Sequence, residues 1–184
     1  MSSEAFIISA ARSADLSAAI RQTVENAGVH LSRIQDLLLS QDGPATVPNA
    51  ETIVHDAGLS CPTTIVSSSL RAVIFAAQSI LSGDVELVVV LGVDSTACTA
   101  LLLASPEAVG KSNLVPRARI AARSLAGAEA ALRFAEITPG DVAITRQGES
   151  GVLLLKELLD ELESTQAQWG LVKMSQYAIV LERI

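Results

Sequence analysis

The stretch of residues 63–95, TTIVSSSLRAVIFAAQSILSGDVELVVVLGVDS, decides the fold of this chain. Its first residues, Thr63–Val66, predict a strand that runs directly into a helix over residues 68–81, which Gly83 ends. Residues 85–93 then predict a second strand that is almost wholly apolar. A strand that is apolar on both faces is typical of a sheet covered by helices on both sides. The stretch therefore predicts a buried strand–helix–strand unit of an α/β protein.

The residues before this unit alternate strands and helices in the same way. A strand over residues 5–11 precedes a helix over residues 16–28, and residues 34–40 form the next strand. The loop of residues 41–49 contains glycine and proline, and it leads into a short helix over residues 51–57.

The chain after Ser95 completes this cycle and then begins a second one. A strand over residues 97–104 and a short helical or irregular segment over residues 106–112 complete the first cycle. The second cycle is predicted as strand, helix, strand, helix and two final strands, over residues 118–123, 126–137, 141–146, 150–163, 170–174 and 177–181.

The two cycles also resemble each other in sequence. The letters AARS occur at residues 10–13 and again at residues 121–124, each time near the end of a strand that precedes a helix. Internal repeats of this kind indicate related structural units. We therefore predict one compact body, without a flexible linker, that consists of an N-terminal half, residues 1–112, and a shortened C-terminal half, residues 113–184.

The composition excludes several classes of protein. The 184 residues are 49% hydrophobic and 3% aromatic, so we expect one sizeable core of small aliphatic side chains. The net charge of −7 disfavours nucleic acid, and the closest approach to a basic patch is Arg117 with Arg119. No apolar run approaches the ~20 residues of a membrane span, and the first residues do not resemble a signal peptide. The two cysteines have no metal-ligand spacing, so a reduced, cytoplasmic protein is expected.

In order and in residue type, these segments resemble the thiolase superfamily. The resemblance in the opening stretch is carried by Leu70, Ala72, Ala76, Ala77, Gln78, Ile80, Gly83, residues 88–90, Gly92 and Ser95. Residues 115–120 resemble the strand that opens the second half of the family's fold, and residues 151–184 resemble its last helix and last two strands. The resemblance implies a layered αβαβα sandwich, in which two mostly parallel sheets enclose the helices of residues 68–81 and 150–163.

The chain departs from the family where a thiolase has its nucleophile. An ungapped match places Val66 at the position of the nucleophilic cysteine, and a slip by one residue places Ser67 there. The glycines that follow the nucleophile in the family are Ser67 and Ser69 in this chain.

Other family features are also missing. The second catalytic cysteine has no counterpart before the turn Ser175-Gln176, and the residues between Arg146 and Ser150 leave no room for the N-E-A-F and G-H-P motifs. The insert that holds coenzyme A in thiolases is reduced to a few residues near 94–97. The resemblance therefore implies a shortened member without the catalytic residues, and no cofactor is expected.

Thiolase chemistry needs a thiolate nucleophile and a histidine that activates it. We expect His30, in a loop, and His55, in a short helix, to be surface side chains. Cys61 is predicted in a loop and Cys98 in a buried strand, where a free cysteine usually behaves as a small apolar side chain.

Three consecutive serines, Ser67, Ser68 and Ser69, occupy the predicted junction between strand and helix. A nucleophile at a helix start has its oxyanion stabilised by the helix dipole, but the sequence places no histidine beside these serines as a base. The simpler interpretation, which we favour, is that they cap the helix. Ser67 and Ser68 are kept as candidate nucleophiles.

These features favour a thiolase-like protein that lacks thiolase activity and acts as a structural or regulatory subunit. In the family, the strand that corresponds to Thr63, Thr64, Ile65, Val66 and Ser67 commonly pairs between subunits. We therefore expect a homodimer or a complex with a catalytic thiolase-type partner, with Ile65 pointing inward. The alternatives are a degenerate acyltransferase or thioester hydrolase that uses Ser67 or Ser68, and a binding module for an acyl ligand.

Overall fold

The computed structural model describes residues 4–42 and 49–184, and the predicted alternation of strands and helices is present in them. The first half contains β1 (Phe6–Ser13), α1 (Leu16–Asn26), β2 (Asp36–Gln41), α2 (Ala50–Ala57), β3 (Thr63–Val66), α3 (Ser69–Ser82), β4 (Leu87–Val93), β5 (Cys98–Ala104) and α4 (Pro106–Ser112). The second half contains β6 (Ala118–Ser124), α5 (Ala128–Phe134), β7 (Ile144–Gln147), α6 (Gly151–Thr165), β8 (Trp169–Met174) and β9 (Tyr177–Arg183). Residues 43–48 of the predicted loop lie outside the described residues.

Two elements are shorter than predicted, for local reasons. Strand β4 starts at Leu87 rather than at residue 85, and the N–H groups of Glu86 and Leu87 donate instead to Oε1 of Gln35. Helix α5 ends at Phe134 rather than at residue 137, because Glu136 has φ of 57°, a left-handed conformation that stops a right-handed helix.

Strand β7 also starts later than predicted, at Ile144 rather than at residue 141. Oδ2 of Asp141 accepts hydrogen bonds from the N–H and the hydroxyl of Thr138, both at 2.7 Å, and these close a 3₁₀ turn over Pro139–Asp141. The chain becomes extended only after this turn.

The described strands form one nine-stranded sheet in the order β3-β2-β4-β5-β1-β6-β9-β8-β7. The prediction of two separate, mostly parallel sheets is therefore wrong, because most neighbouring strands in this single sheet pair antiparallel. Strands β1 and β6 join the halves by antiparallel pairing, with Phe6 opposite Arg119 and Ile7 opposite Ala118. Backbone hydrogen bonds from Arg117 to Ile7 and from Ile120 to Ala5 flank these two pairs, and within the described chain residues 121–124 of β6 have no strand partner on the β1 side.

Arg117 and Arg119, the closest approach to a basic patch in the sequence, are neutralised by carboxylates. The guanidinium of Arg119 binds Glu4, with Nη1 and Oε1 2.7 Å apart, and also binds Glu182 of β9. The guanidinium of Arg117 binds Glu163 of α6, with Nε and Oε1 2.6 Å apart. Both arginines therefore tie the start of the second half to neighbouring elements.

The two halves of the sheet have the same topology. In the first half, β3 and β4 pair in parallel with β2, while β5 pairs antiparallel with β4 and β1. In the second half, β7 pairs in parallel with β8, while β9 pairs antiparallel with β8 and β6. Strands β6, β7, β8 and β9 thus correspond to β1, β2, β4 and β5, and the described second half has no counterpart of β3.

Helices α3 and α6 lie between the two halves of the sheet. Their buried faces share one core with side chains from both halves, such as Val88 and Leu101 from the first and Val172 and Ile179 from the second. The opposite faces of the strands are covered by α1 and α2 in the first half and by α5 in the second. The layers therefore follow the order helix, first half of the sheet, helix, second half of the sheet, helix, so the predicted layered α/β fold is confirmed.

The prediction that Ile65 points inward is wrong. Ile65 lies opposite Leu39, on the outer face of the sheet, and is 71% exposed because the helices that cover this face do not shield it. Val66, the next residue, points to the other face and packs in the core with α3. Strand β3 therefore presents an exposed apolar side chain at one edge of the sheet.

Candidate functional site at the starts of two buried helices

The serines singled out from the sequence lie where β3 ends and α3 begins, and each has a different environment. Ser67 is exposed to solvent. Ser68 is the N-cap residue of α3 and Ser69 is the first residue of the helix, and both are buried. Val66, predicted to replace a catalytic cysteine, packs in the core.

The helix-capping interpretation is wrong for Ser68, whose side chain makes no capping hydrogen bond. Asp42, which follows β2, takes this role, since its Oδ1 accepts a hydrogen bond from the N–H of Ser69 at 3.1 Å. Ser69 does cap a helix, but a different one. Its hydroxyl accepts hydrogen bonds from the N–H groups of Gly151 at 2.7 Å and Val152 at 3.2 Å, at the start of α6.

Two glycines allow the starts of α3 and α6 to approach each other. A Cβ atom on Gly151 would lie 2.6 Å from Cβ of Leu70 and 2.7 Å from the backbone nitrogen of that residue. A Cβ atom on Gly92, in β4, would lie 2.9 Å from Cβ of Val152. The space between the helix starts and the sheet is therefore filled by atoms of this chain.

Asp42 places a carboxylate at this junction. Burial raises the pKa of Asp42 above its usual range, and the negative charge of Asp94 acts in the same direction. The hydrogen bond from the N–H of Ser69 acts in the opposite direction without cancelling this effect. Because helix N-termini favour negative charge, Asp42 supplies the start of α3 with the charge that a bound oxyanion would otherwise supply.

Two buried polar atoms at the junction have no hydrogen-bond partner among the described residues. They are Oγ of Ser68 and Oδ2 of Asp42, and each residue is 8% exposed. A buried polar group without a partner costs about 1–3 kcal/mol, so such atoms are uncommon in folded proteins. The Ser68 hydroxyl is the one feature of the junction that favours a nucleophile.

Neither His30 nor His55 is placed to act as a base for the Ser68 hydroxyl. Nδ1 of His30 accepts from the N–H of Ser32, in a 3₁₀ turn after α1. His55 lies beside Asp56 on α2 with its side chain 89% exposed. Neither ring forms a hydrogen bond with the described serines at the junction.

The cysteines are not activated. Burial raises the pKa of the Cys61 thiol, and the negative charge of Asp36 adds to this effect. Burial also raises the pKa of Cys98, with added repulsion from Asp15 and Asp94. Both thiols are therefore poorer sources of a thiolate than an ordinary cysteine.

Sequence reasoning missed Asp42 and the capping role of Ser69. Asp42 precedes a turn-like segment, and nothing in its local pattern indicates that it folds back onto α3, which starts 27 residues later. Ser69 was expected to cap its own helix, because capping is usually local. The only signal for this contact in the sequence was that both helices begin with a small residue, Ser69 in α3 and Gly151 in α6.

None of the models of known protein families matches this chain, and no curated protein matches its sequence. Among residues 4–42 and 49–184, no group of three His, Cys, Asp or Glu side chains is placed to hold a metal ion. None of the helices in the same residues is long and apolar enough to cross a membrane. The function of the junction is therefore inferred from its geometry.

We expect Gly151→Ala to lower the free energy of unfolding by about 1–3 kcal/mol, because the added methyl group meets the backbone of Leu70. Urea unfolding measures this change. The matched control is Gly110→Ala, in α4, where an added Cβ meets nothing within 4 Å and alanine is the better helix former. If both variants are equally stable, the two helix starts are not packed as described.

We expect Asp42→Asn to raise the free energy of unfolding at neutral pH. Asparagine keeps an oxygen that accepts from Ser69, and it removes a charge that burial disfavours. A carboxyl whose folded-state pKa is raised stabilises the fold at low pH, and that contribution is lost as the pH rises through this pKa. The advantage of the variant should therefore disappear as the pH falls below the usual range of aspartate.

Urea unfolding between about pH 3 and pH 8 tests this dependence. Asp141→Asn is the control of opposite sign, because hydrogen bonds from Thr138 lower the pKa of Asp141. Its stabilising contribution is present above the usual aspartate range and is lost as the pH falls. A loss of stability in Asp42→Asn at neutral pH would mean that the charge itself holds α3 in place.

Proposed function

We propose that this chain is a thiolase-like protein without thiolase activity, acting as a structural or regulatory subunit in a homodimer or beside a catalytic thiolase-type partner. The observation that carries the proposal is the contrast between the two edge strands of the sheet, β3 and β7. An edge strand exposes unpaired backbone groups, and proteins usually protect such an edge with charge or cover it with another chain.

Strand β7 has a charged residue of the kind that prevents edge pairing. Arg146 lies in the middle of this four-residue strand and forms an ion pair with Glu161 of α6. Strand β3 has the same length but no charged residue, and its exposed side chains are Thr64 and Ile65. Within the described residues β3 pairs with β2 alone, so its outer edge is suited to a strand of another subunit.

A homodimer is the simplest arrangement that pairs the backbone groups at the outer edge of β3. Two copies related by a two-fold axis would pair their β3 strands antiparallel, so that Ile65 packs against the partner copy. The sheet would then continue across both subunits. A thiolase-type partner with a similar edge strand would satisfy the same backbone groups.

The absence of thiolase activity is supported by the geometry at the starts of α3 and α6. Val66 is buried, both thiols have raised pKa values, and neither histidine contacts the serines at the junction. Thiolase resemblance itself is supported by the duplicated halves and by the two helices buried between them. These features fit a protein with a thiolase-type fold in which the residues at the catalytic positions contribute to packing.

A degenerate acyltransferase or thioester hydrolase is the second candidate, and one observation favours it. Oγ of Ser68 is buried without a hydrogen-bond partner at a helix start. An ionisable group, Asp42, lies at the same helix start and accepts a hydrogen bond from the N–H of the neighbouring Ser69. Hydrolysis of short acyl thioesters, abolished in Ser68→Ala but not in Ser67→Ala, would establish this alternative.

We expect the protein to be a dimer at micromolar concentration and Ile65→Lys to convert it to a folded monomer. Because Ile65 is 71% exposed in the single chain, lysine fits there without strain, and only an interface would bury its charge. Light scattering measures the mass of both proteins, and circular dichroism checks that the variant is folded.

Val115→Lys is the matched control, because Val115 is also an exposed aliphatic residue, at 79%, and lies outside β3. It should leave the mass unchanged. A monomeric wild-type protein would overturn the homodimer, and the subunit proposal would then require a defined complex with a thiolase-type chain that Ile65→Lys prevents.

We expect no cleavage of acetoacetyl-CoA above background, because thiolase chemistry needs an activated thiolate and a nearby base. A coupled assay that detects acetyl-CoA measures this, with a thiolase as positive control. Activity that is lost in the Cys61→Ser and Cys98→Ser double variant would refute the proposal. Activity that survives in this variant would refute it as well and would point to a serine nucleophile.

A further inference from the structure

An open cavity of about 440 Å³ lies beside the half of β6 that is not paired with β1. Its walls come from residues 121–125 at the end of β6, from Ile74 and Gln78 of α3, and from Phe134 at the end of α5. This volume is within the range of sites for small organic ligands. The cavity is distinct from the starts of α3 and α6, since Ile74 and Gln78 lie farther along α3.

Arg123 is the only charged residue among those that line the cavity. It forms no ion pair and no hydrogen bond with the residues that the structure describes. Burial without a carboxylate partner lowers the pKa of its guanidinium, in contrast to Arg117 and Arg119, whose carboxylate partners raise theirs. A half-buried guanidinium in this position has unused donors for an anion.

The internal repeat shows what Arg123 lacks. Across the sheet, Arg12 lies opposite Thr99 and then Gly92, and Arg123 lies opposite Ile179 and then Val172. Asp94 comes two residues after Gly92, and Met174 comes two residues after Val172. Arg123 is therefore the counterpart of Arg12, and Met174 is the counterpart of Asp94.

In the first half the equivalent arginine has an acidic and a hydroxyl partner. Nη2 of Arg12 lies 3.6 Å from Oδ2 of Asp94 and donates to Oγ1 of Thr96 at 3.1 Å. The turn that carries these partners has four residues between β4 and β5, whereas only Ser175 and Gln176 separate β8 from β9. Met174, the last residue of β8, stands where the first half has Asp94, and the shortened turn has no counterpart of Thr96, so the second arginine is left with its charge unpaired.

Apart from Gln78 and Ser124, the other residues that line the cavity are apolar. Phe134 is 68% exposed and Leu125 is also exposed, although both are large apolar side chains, and Ile74 contributes a further aliphatic surface. A cation beside exposed apolar side chains matches a ligand that has one negative charge and an apolar body. Polyanionic ligands fit less well, because the chain has a net charge of −7 and the cavity offers one cation.

We propose that this cavity binds a small monocarboxylate with an apolar chain, whose carboxylate pairs with Arg123 and whose chain packs against Leu125 and Phe134. The ligand carboxylate supplies from the cavity the negative charge that Asp94 supplies to Arg12 in the first half of the molecule. The proposal is independent of the dimer and of any activity at the serines.

Calorimetric titration with octanoate tests the proposal, with octan-1-ol and acetate as probes that lack the charge or the chain. We expect octanoate to bind the wild-type protein and both other probes to bind at least about tenfold more weakly. Arg123→Gln should weaken octanoate binding by at least about tenfold, while the repeat-related control Arg12→Gln should leave it unchanged. Equal binding of octanoate by both variants, or by octan-1-ol and octanoate, would overturn the proposal, as would no octanoate binding at millimolar concentration.

Met174→Asp provides a second test that keeps Arg123 in place. The new carboxylate should pair with Arg123 as Asp94 pairs with Arg12, and it should compete with the ligand. We expect weaker octanoate binding together with unchanged or higher thermal stability. Unchanged octanoate affinity in a folded Met174→Asp variant would contradict the equivalence of the two arginines.

Discussion

The hydroxyl of Ser69 accepts hydrogen bonds from the first two N–H groups of α6, and this contact joins the starts of the two helices of the inner core. The first N–H groups of a helix have no partner within the helix, and leaving one buried and unpaired costs about 1–3 kcal/mol. Helices α3 and α6 both start inside the protein, so neighbouring side chains must accept from them. Asp42 does so for α3 and Ser69 does so for α6. Gly151 follows from the same constraint, because a Cβ atom there would separate the two helices.

The two halves share one sheet topology, and two of the differences between them leave groups of the chain without partners. The second half lacks a counterpart of β3 among its described residues, so the sheet has unlike edges. The second half has Met174 at the position of Asp94, so Arg123 has no acid in the position that Asp94 has beside Arg12. In each case the other half of the molecule contains the paired arrangement: β2, the counterpart of β7, pairs with β3, and Arg12, the counterpart of Arg123, pairs with Asp94.

Elements with strong local patterns could be predicted from the sequence, and contacts between distant residues could not. The strand Thr63–Val66 and the order of all later elements follow from apolar runs and from helix-ending glycines such as Gly83. The pairing of β1 with β6, which joins the two halves, was not predicted, because a contact of two residue pairs produces no periodic pattern in the sequence. Ile65 was assigned to the wrong face, since a four-residue strand with apolar and threonine side chains does not alternate clearly.

The charge of Asp42 at the helix junction helps to choose between the two candidate functions, a non-catalytic subunit and an acyltransferase or thioester hydrolase. Attack by the Ser68 hydroxyl on an acyl group would create a negative oxyanion at the start of α3. That position already has the Asp42 carboxylate, hydrogen-bonded to the N–H of Ser69. Two negative charges at one buried site repel each other, so the oxyanion would form readily only while Asp42 is protonated. The carboxylate that accepts a hydrogen bond at the start of α3 therefore opposes the one chemical step that the buried serine could perform.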